Sequence, residues 1–203
     1  VVRPRATSGI RDWPGVNFNT YHLEAVFAGG AKVPLTLSVW IPEGEGPFPV
    51  LLDCDGCWRY FNDNVVKSVV DRGNIAASID RTMAAADDWD VYRDTGLYQL
   101  FPDAEFAVCS AWAWSVHRAV DALLELPFVR GDAIAVTGHS RGGKTALLAG
   151  ATDERIAVCN PNNSGVGGAG LNRLKQPGSE HVNSFVSHHH RVLCSLLLRF
   201  LQT

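Results

Sequence analysis

The alternation of apolar and polar positions divides the chain into short extended runs and longer helical ones. Residues 21–27 and 32–41 are rich in β-branched and aromatic side chains and flank Ala28, Gly29, Gly30 and Ala31, which predicts an antiparallel hairpin. After a loop at 42–49, the apolar runs at 50–53 and 75–79 lie between turn signals and read as strands buried on both faces. Between them, residues 62–72 fit a helix ended by Gly73. Residues 82–103 match no template, and long segments of this kind often carry function. Residues 106–126 then place Val108, Trp112, Val116, Val120, Leu123 and Leu124 near helical spacing, which assigns Trp112 and Trp114 to packing. A strand at 133–137, a Gly-rich turn, an Ala/Leu-rich helix to about Ala151 and a strand at 155–159 complete the readable part. Residues 1–19, with Pro4 and Pro14, read as an irregular lead-in. The sum is one α/β domain over residues 1–203: a mainly parallel sheet with an antiparallel N-terminal hairpin and helices on both faces.

Composition narrows the function. The 203 residues are 46% hydrophobic and 19% charged, an ordinary globular balance. A net charge of -3 provides no footprint for a polyanion, so nucleic acid is not an expected partner. The apolar stretch at 192–198 is broken by Ser195 and flanked by Arg191 and Arg199, far short of the ~20 residues of a membrane span, so no membrane partner is expected. No signal peptide is visible from Val1 onward. Cysteines stand at 54, 57, 109, 159 and 194. Cys54 and Cys57 form a lone C-x-x-C around a turn-like Asp55-Gly56, with no second pair at zinc spacing, so no metal is assigned.

Residues 138–145 spell two motifs at once. As G-x-x-x-x-G-K-[ST], Gly138, Gly143, Lys144 and Thr145 form a phosphate-cradling P-loop; as G-x-S-x-G, Gly138, Ser140 and Gly142 form a nucleophile elbow. A P-loop enzyme also needs a carboxylate at a neighbouring strand tip to hold magnesium, and the strand at 155–159 runs into Asn160 and Pro161 instead. An elbow needs a lead-in hairpin, several strands before the serine and an oxyanion loop after the third strand. That order is present, with the loop at 54–58 in the right place. The elbow is the favoured reading, with a P-loop or a plain Gly-rich turn as alternatives. In an elbow the Arg141 N–H points at the oxyanion, helped by the positive end of the helix, and a second donor comes from residues 54–58.

With Ser140 reached, the chain resembles the glucuronoyl esterases, carbohydrate esterases of α/β-hydrolase fold that cleave esters between lignin alcohols and the glucuronic acid of xylan. The matching residues run from Gly138 to Ala146, with Ala149-Gly150-Ala151, Asp153-Glu154-Arg155-Ile156-Ala157, Asn162-Asn163-Ser164-Gly165 and Gly167-Gly168-Ala169. Upstream, Gly96-Leu97-Tyr98 and Ala111-Trp112-Ala113-Trp114 with Arg118 and Asp121 belong to the same pattern, and the likeness covers about residues 20–183. The resemblance implies a serine esterase acting on 4-O-methyl-glucuronate esters, small or polysaccharide, with acyl-enzyme chemistry, no cofactor and a secreted or periplasmic location. It gives Ser140 the nucleophile's role, Arg141 the oxyanion and Lys144 the sugar hydroxyls.

The chain also departs from the family. Fungal members place a triad glutamate 23 residues after the nucleophile, where this chain has Asn163, and a cysteine before it, where this chain has His139; that looks nearer the bacterial branch. From about Ser184 the pattern is lost, so residues 184–203 read as a divergent tail and the domain as incomplete, its last strands missing. After Ser140 the acids are Asp153, Glu154 and Glu180, and the bases His181, His188, His189 and His190. Asp153 and Glu154 fall at the sheet edge opposite Ser140, and the others in a stretch without strand signals. The expectation is a chain that carries the nucleophile without being a competent esterase by itself. Other readings are an acetylxylan-type esterase, a P-loop nucleotide binder and an inactive α/β-hydrolase fragment.

Overall fold

The computed structural model describes residues 13–56, 60–171 and 178. Its strands are β1 (Val16–Val26), β2 (Lys32–Pro42), β3 (Phe48–Asp53), β4 (Ile75–Ile79), β5 (Val129–His139) and β6 (Ile156–Asn162). They form one sheet in the order β1-β2-β4-β3-β5-β6, with β4, β3, β5 and β6 parallel and β2 antiparallel to both its neighbours. The helices are α1 (Asp63–Val70), the single turn α2 (Leu97–Leu100), α3 (Val108–Leu124) and α4 (Arg141–Thr152). This is the α/β-hydrolase architecture expected from the sequence.

The hairpin pairs Val26 with Lys32 and continues without interruption to Val16 with Pro42. Strand β1 thus begins inside the stretch read as irregular lead-in. Its alternation was hidden by Asn17 and Asn19, while Val16 and Phe18 pack toward the buried Trp40, with the Phe18 and Trp40 ring centroids 4.9 Å apart. The expected tail at 184–203 lies outside the described residues.

The sheet separates two apolar layers. On one face Val50, Leu52, Ile75, Ala77, Ile79, Ile134 and Val136 meet Val108, Trp112, Val116, Val120 and Leu123 of α3 and Ala146 and Ala149 of α4. On the other, Trp40 and Ala76 meet Val66 and Val70 of α1. Asn62 caps α1, its Oδ1 accepting from the N–H groups of Asn64 (3.1 Å) and Val65 (3.3 Å), and Gly73 closes the connection at φ +71°.

The segment that matched no template is ordered by a few specific bonds. The Trp112 indole donates to the Ala85 carbonyl (2.8 Å), Leu97 N–H to the Ala84 carbonyl (2.8 Å), and the Tyr98 hydroxyl to the Phe106 carbonyl (2.8 Å). Trp112 is fully buried and Trp114 stacks on Phe27 at 5.7 Å, so both tryptophans pack as expected. Cys54 and Cys109 are buried free thiols, and burial holds the Cys54 thiol well above its ordinary pKa, so it is no thiolate. Its motif partner Cys57 lies outside the described residues. Among the described residues no helix is long and apolar enough to cross a membrane, and no three His, Cys, Asp or Glu side chains converge as metal ligands.

Asp53 ends β3 and is fully buried, with Oδ2 accepting from the Ser78 hydroxyl at 2.8 Å. Burial pushes its carboxyl well above the ordinary range against the pull of that bond, and the neighbouring charge of Asp55 adds to the rise. Such a carboxyl binds protons more tightly folded than unfolded. Its contribution is therefore fully present below the unfolded pKa near ~4 and is lost progressively as pH climbs to the raised folded value. Urea unfolding between pH 4 and 8 should show stability falling with pH, by at most about 1.4 kcal/mol per unit from this group. Asp53→Asn should flatten that slope.

Candidate active site

Strand β5 ends at His139 and α4 begins at Arg141, leaving one residue to reverse the chain. Ser140 makes that turn at φ 52°, ψ -112°, a conformation strained for any residue with a Cβ. Its N–H is held by the Asn162 carbonyl at 3.0 Å. The flanking glycines are required by contact. A Cβ on Gly138 would lie 2.4 Å from the Gly142 carbonyl oxygen, and one on Gly142 would lie 2.4 Å from the Asp55 carboxyl carbon. This is the strand–elbow–helix reading of the octapeptide. The P-loop alternative fails, because residues 141–145 are already helical and Lys144 is buried, so no extended loop remains to wrap a phosphate.

Ser140 is exposed on a cavity of about 540 Å³ at the carboxyl edge of the sheet, lined by Asp55, Tyr60, Asn62, Arg81, His139, Ser140 and Arg141. Ser140 and Arg141 are thus brought together. Lys144 is not among the lining residues; it is 6% exposed and its ammonium donates to the Ser164 carbonyl. Of the expected oxyanion loop, the N–H groups of Cys54 and Gly56 are spent on the carbonyls of Thr137 (2.8 Å) and Ile79 (3.1 Å), and Cys57 and Trp58 lie outside the described residues.

The loop contributes a carboxylate instead. Asp55 Oδ2 accepts the His139 N–H at 3.0 Å, and Oδ1 accepts from Nε and Nη2 of Arg81, both at 3.2 Å. Arg81, 1% exposed, also donates to Asp87 Oδ2 at 2.8 Å and lies 3.9 Å from the Trp112 ring centroid. Asp87 Oδ1 in turn meets Arg141 Nη1 at 2.6 Å. Two carboxylates and two guanidiniums therefore alternate from the residue before the nucleophile to the residue after it. Sequence reasoning missed Asp55, Arg81 and Asp87. The available signal was a charged residue just past each of two buried parallel strands, where such sheets place ligand-binding groups.

A second polar chain borders the cavity. Asn162 Nδ2 donates to the Tyr60 hydroxyl (2.9 Å), which lies 3.5 Å from Thr137 Oγ1, and the Tyr60 ring stacks on His139 at 5.4 Å. His139 lines the cavity. His117 is engaged at the far end of α4, with Nε2 3.3 Å from both the Ala149 carbonyl and Thr152 Oγ1, and exposed His22 is on β1. Asp153 caps that same far end and pairs with Arg155 at 2.6 Å, and Glu154 follows it, so neither acid is near Ser140. Glu180, His181, His188, His189 and His190 lie outside the described residues. Among the described residues, no imidazole is hydrogen-bonded to the Ser140 hydroxyl.

Comparison with known proteins agrees with this geometry. The family model described as glucuronyl esterase of fungi matches residues 25–193. A 4-O-methyl-glucuronoyl methylesterase from Hypocrea jecorina (strain QM6a) is 33% identical over 150 residues, covering 71% of this chain and 31% of the relative. The chain spans about a third of the length of the curated relatives it matches. Among solved structures, a CE15 glucuronoyl esterase from Teredinibacter turnerae T7901 superposes with a TM-score of 0.79 at 26% identity, over 98% of this chain and 53% of that one. A glucuronoyl esterase variant from Sporotrichum thermophile, solved in complex with methyl 4-O-methyl-β-D-glucopyranuronate, superposes with a TM-score of 0.62 at 25% identity, over 79% and 44%.

The strain at Ser140 yields a stability prediction. A non-glycine residue in such a region costs about 1–3 kcal/mol, and the extra unfolded-state entropy of glycine returns up to about 1 kcal/mol of any relief. Ser140→Gly should therefore raise the free energy of unfolding by about 1 kcal/mol, whereas Ser140→Ala, which keeps a Cβ, should leave it nearly unchanged. Urea denaturation midpoints of the three proteins check this.

Proposed function

The chain belongs to the glucuronyl esterase family, and from that premise we propose that it carries the nucleophile of a serine esterase that cleaves 4-O-methyl-glucuronoyl esters of xylan. The observation that carries the reading is the elbow: Ser140 exposed on a cavity, at the N-terminus of α4, with the Arg141 side chain on the same wall. Ser140 attacks the ester carbonyl and forms an acyl-enzyme, releasing the alcohol; water then releases the glucuronate. Negative charge on the carbonyl oxygen meets the first N–H groups and positive end of α4 and the guanidinium of Arg141. Lys144 is assigned to the sugar hydroxyls. Its ammonium also donates to the Ser164 carbonyl.

Hydrolysis of a methyl glucuronate ester by the 203-residue chain and by Ser140→Ala tests the reading. The expected turnover is slow, at most about 10³- to 10⁴-fold above water, the level that oxyanion stabilisation and binding give without a base, so Ser140→Ala changes it little and Arg141→Ala lowers it. Much faster, Ser140-dependent turnover would assign the base to His181 or to one of His188, His189 and His190. A rate unchanged in Arg141→Ala, or a preference for acetylated xylan, would reject the proposal. Arg141→Ala should lower kcat more than it raises KM, and Lys144→Ala should chiefly raise KM.

A further inference from the structure

The Arg141 guanidinium is contacted by two residues that do not line the cavity. Its Nη1 lies 2.6 Å from Asp87 Oδ1, and its Cζ lies 5.7 Å from the Trp89 ring centroid. The Asp87 side chain is only 6% exposed, and its second oxygen is held by buried Arg81 at 2.8 Å. A carboxylate pinned in this way cannot follow the arginine; the arginine must come to it. Because a guanidinium is a rigid planar group of five donors, an ion pair at one nitrogen together with the neighbouring Trp89 ring limits where the others point.

We propose that Asp87 is a positioning residue for the reaction: acting through Arg141, it aims the remaining guanidinium donors at the oxyanion formed on the ester bound at Ser140. This rests on the reading of Arg141 as an oxyanion donor. Asp87 itself does not line the cavity and touches no substrate. Arg81 already has Asp55 as a buried partner, so the added effect of Asp87 is to join that buried pair to the side chain next to the nucleophile. A donor that acts on charge present only in the transition state affects kcat rather than ground-state binding, and its loss of aim carries the same signature.

The test compares wild type, Asp87→Asn, Arg141→Ala and the double variant on a methyl glucuronate ester, with the Arg141 guanidinium followed by nitrogen-detected NMR. Asp87→Asn should lower kcat about 10- to 100-fold, the scale of a misplaced catalytic group, with KM within about twofold. It should cause no further loss in the Arg141→Ala background. An equal loss in that background, or one confined to KM, overturns the proposal. In wild type, rotation about the Arg141 Nε–Cζ bond should be slow enough to give distinct Nη signals, which merge in Asp87→Asn; signals unchanged by that substitution also overturn it. If wild-type turnover proves insensitive to Arg141→Ala, the oxyanion reading fails and the NMR comparison alone decides the positioning role. Asp87→Glu keeps a charge for Arg81 while moving the carboxylate by one methylene. It serves if Asp87→Asn does not fold, and it should shift the Nη signals and lower kcat in the same direction.

Discussion

The guanidinium of Arg81 is a full charge sealed inside the protein, and the carboxyl edge of the sheet is organised by the need to neutralise it. Burying such an ion costs several kcal/mol unless its partners are close and well oriented. Here the partners come from three separate pieces of chain: Asp55 from the loop after β3, Asp87 from the segment after β4, and the Trp112 face from α3. Meeting one electrostatic demand therefore fixes the relative placement of two loops and a helix. It also makes the arrangement brittle, since loss of one partner leaves a buried charge under-compensated, a heavier cost than replacing the whole set by apolar groups.

The elbow is built onto this charge set. Asp55 grips the N–H of His139 and lies against Gly142, so it touches the chain on both sides of Ser140. The strained backbone of Ser140 is thus held by a carboxylate before it and after it, and by the Asn162 carbonyl on its own N–H. Backbone strain persists where surrounding contacts over-determine it. Here those contacts are anchored to a buried ion pair and not to a flexible surface loop, which keeps the serine hydroxyl presented to the cavity.

Much of this was legible in the sequence, and the limits have physical causes. The parallel strands announced themselves because a strand buried on two faces must be continuously apolar, and the elbow because close contacts at Gly138 and Gly142, with backbone and with the Asp55 carboxylate, admit no side chain. The first residues of β1 were missed because an edge strand with one solvated face tolerates Asn17 and Asn19 among Val16 and Phe18. Asp55, Arg81 and Asp87 were missed because charge pairing across 26 and 6 residues leaves no periodicity to read. The intervening segment looked structureless for the same reason: its order comes from single bonds such as Trp112 to Ala85 and from the Asp87 pair, not from a repeating pattern. Lys144 shows the opposite limit. A motif fixed its position one turn into α4, but only the fold placed its ammonium on the Ser164 carbonyl.

The charge balance of the cluster fits the chemistry proposed for it. A glucuronoyl ester is uncharged at its carboxyl group, and the glucuronate released from it is an anion. A site with uncompensated cations would hold that product more tightly than the substrate, which slows turnover without assisting the chemical step. Asp55, Arg81, Asp87 and Arg141 carry charges that sum to zero. With one nitrogen of the Arg141 guanidinium committed to Asp87, the fork that would clasp a carboxylate through both oxygens is partly spent. In the proposed esterase, the same four groups that settle the buried Arg81 would therefore leave the released glucuronate without an uncompensated cation to hold it.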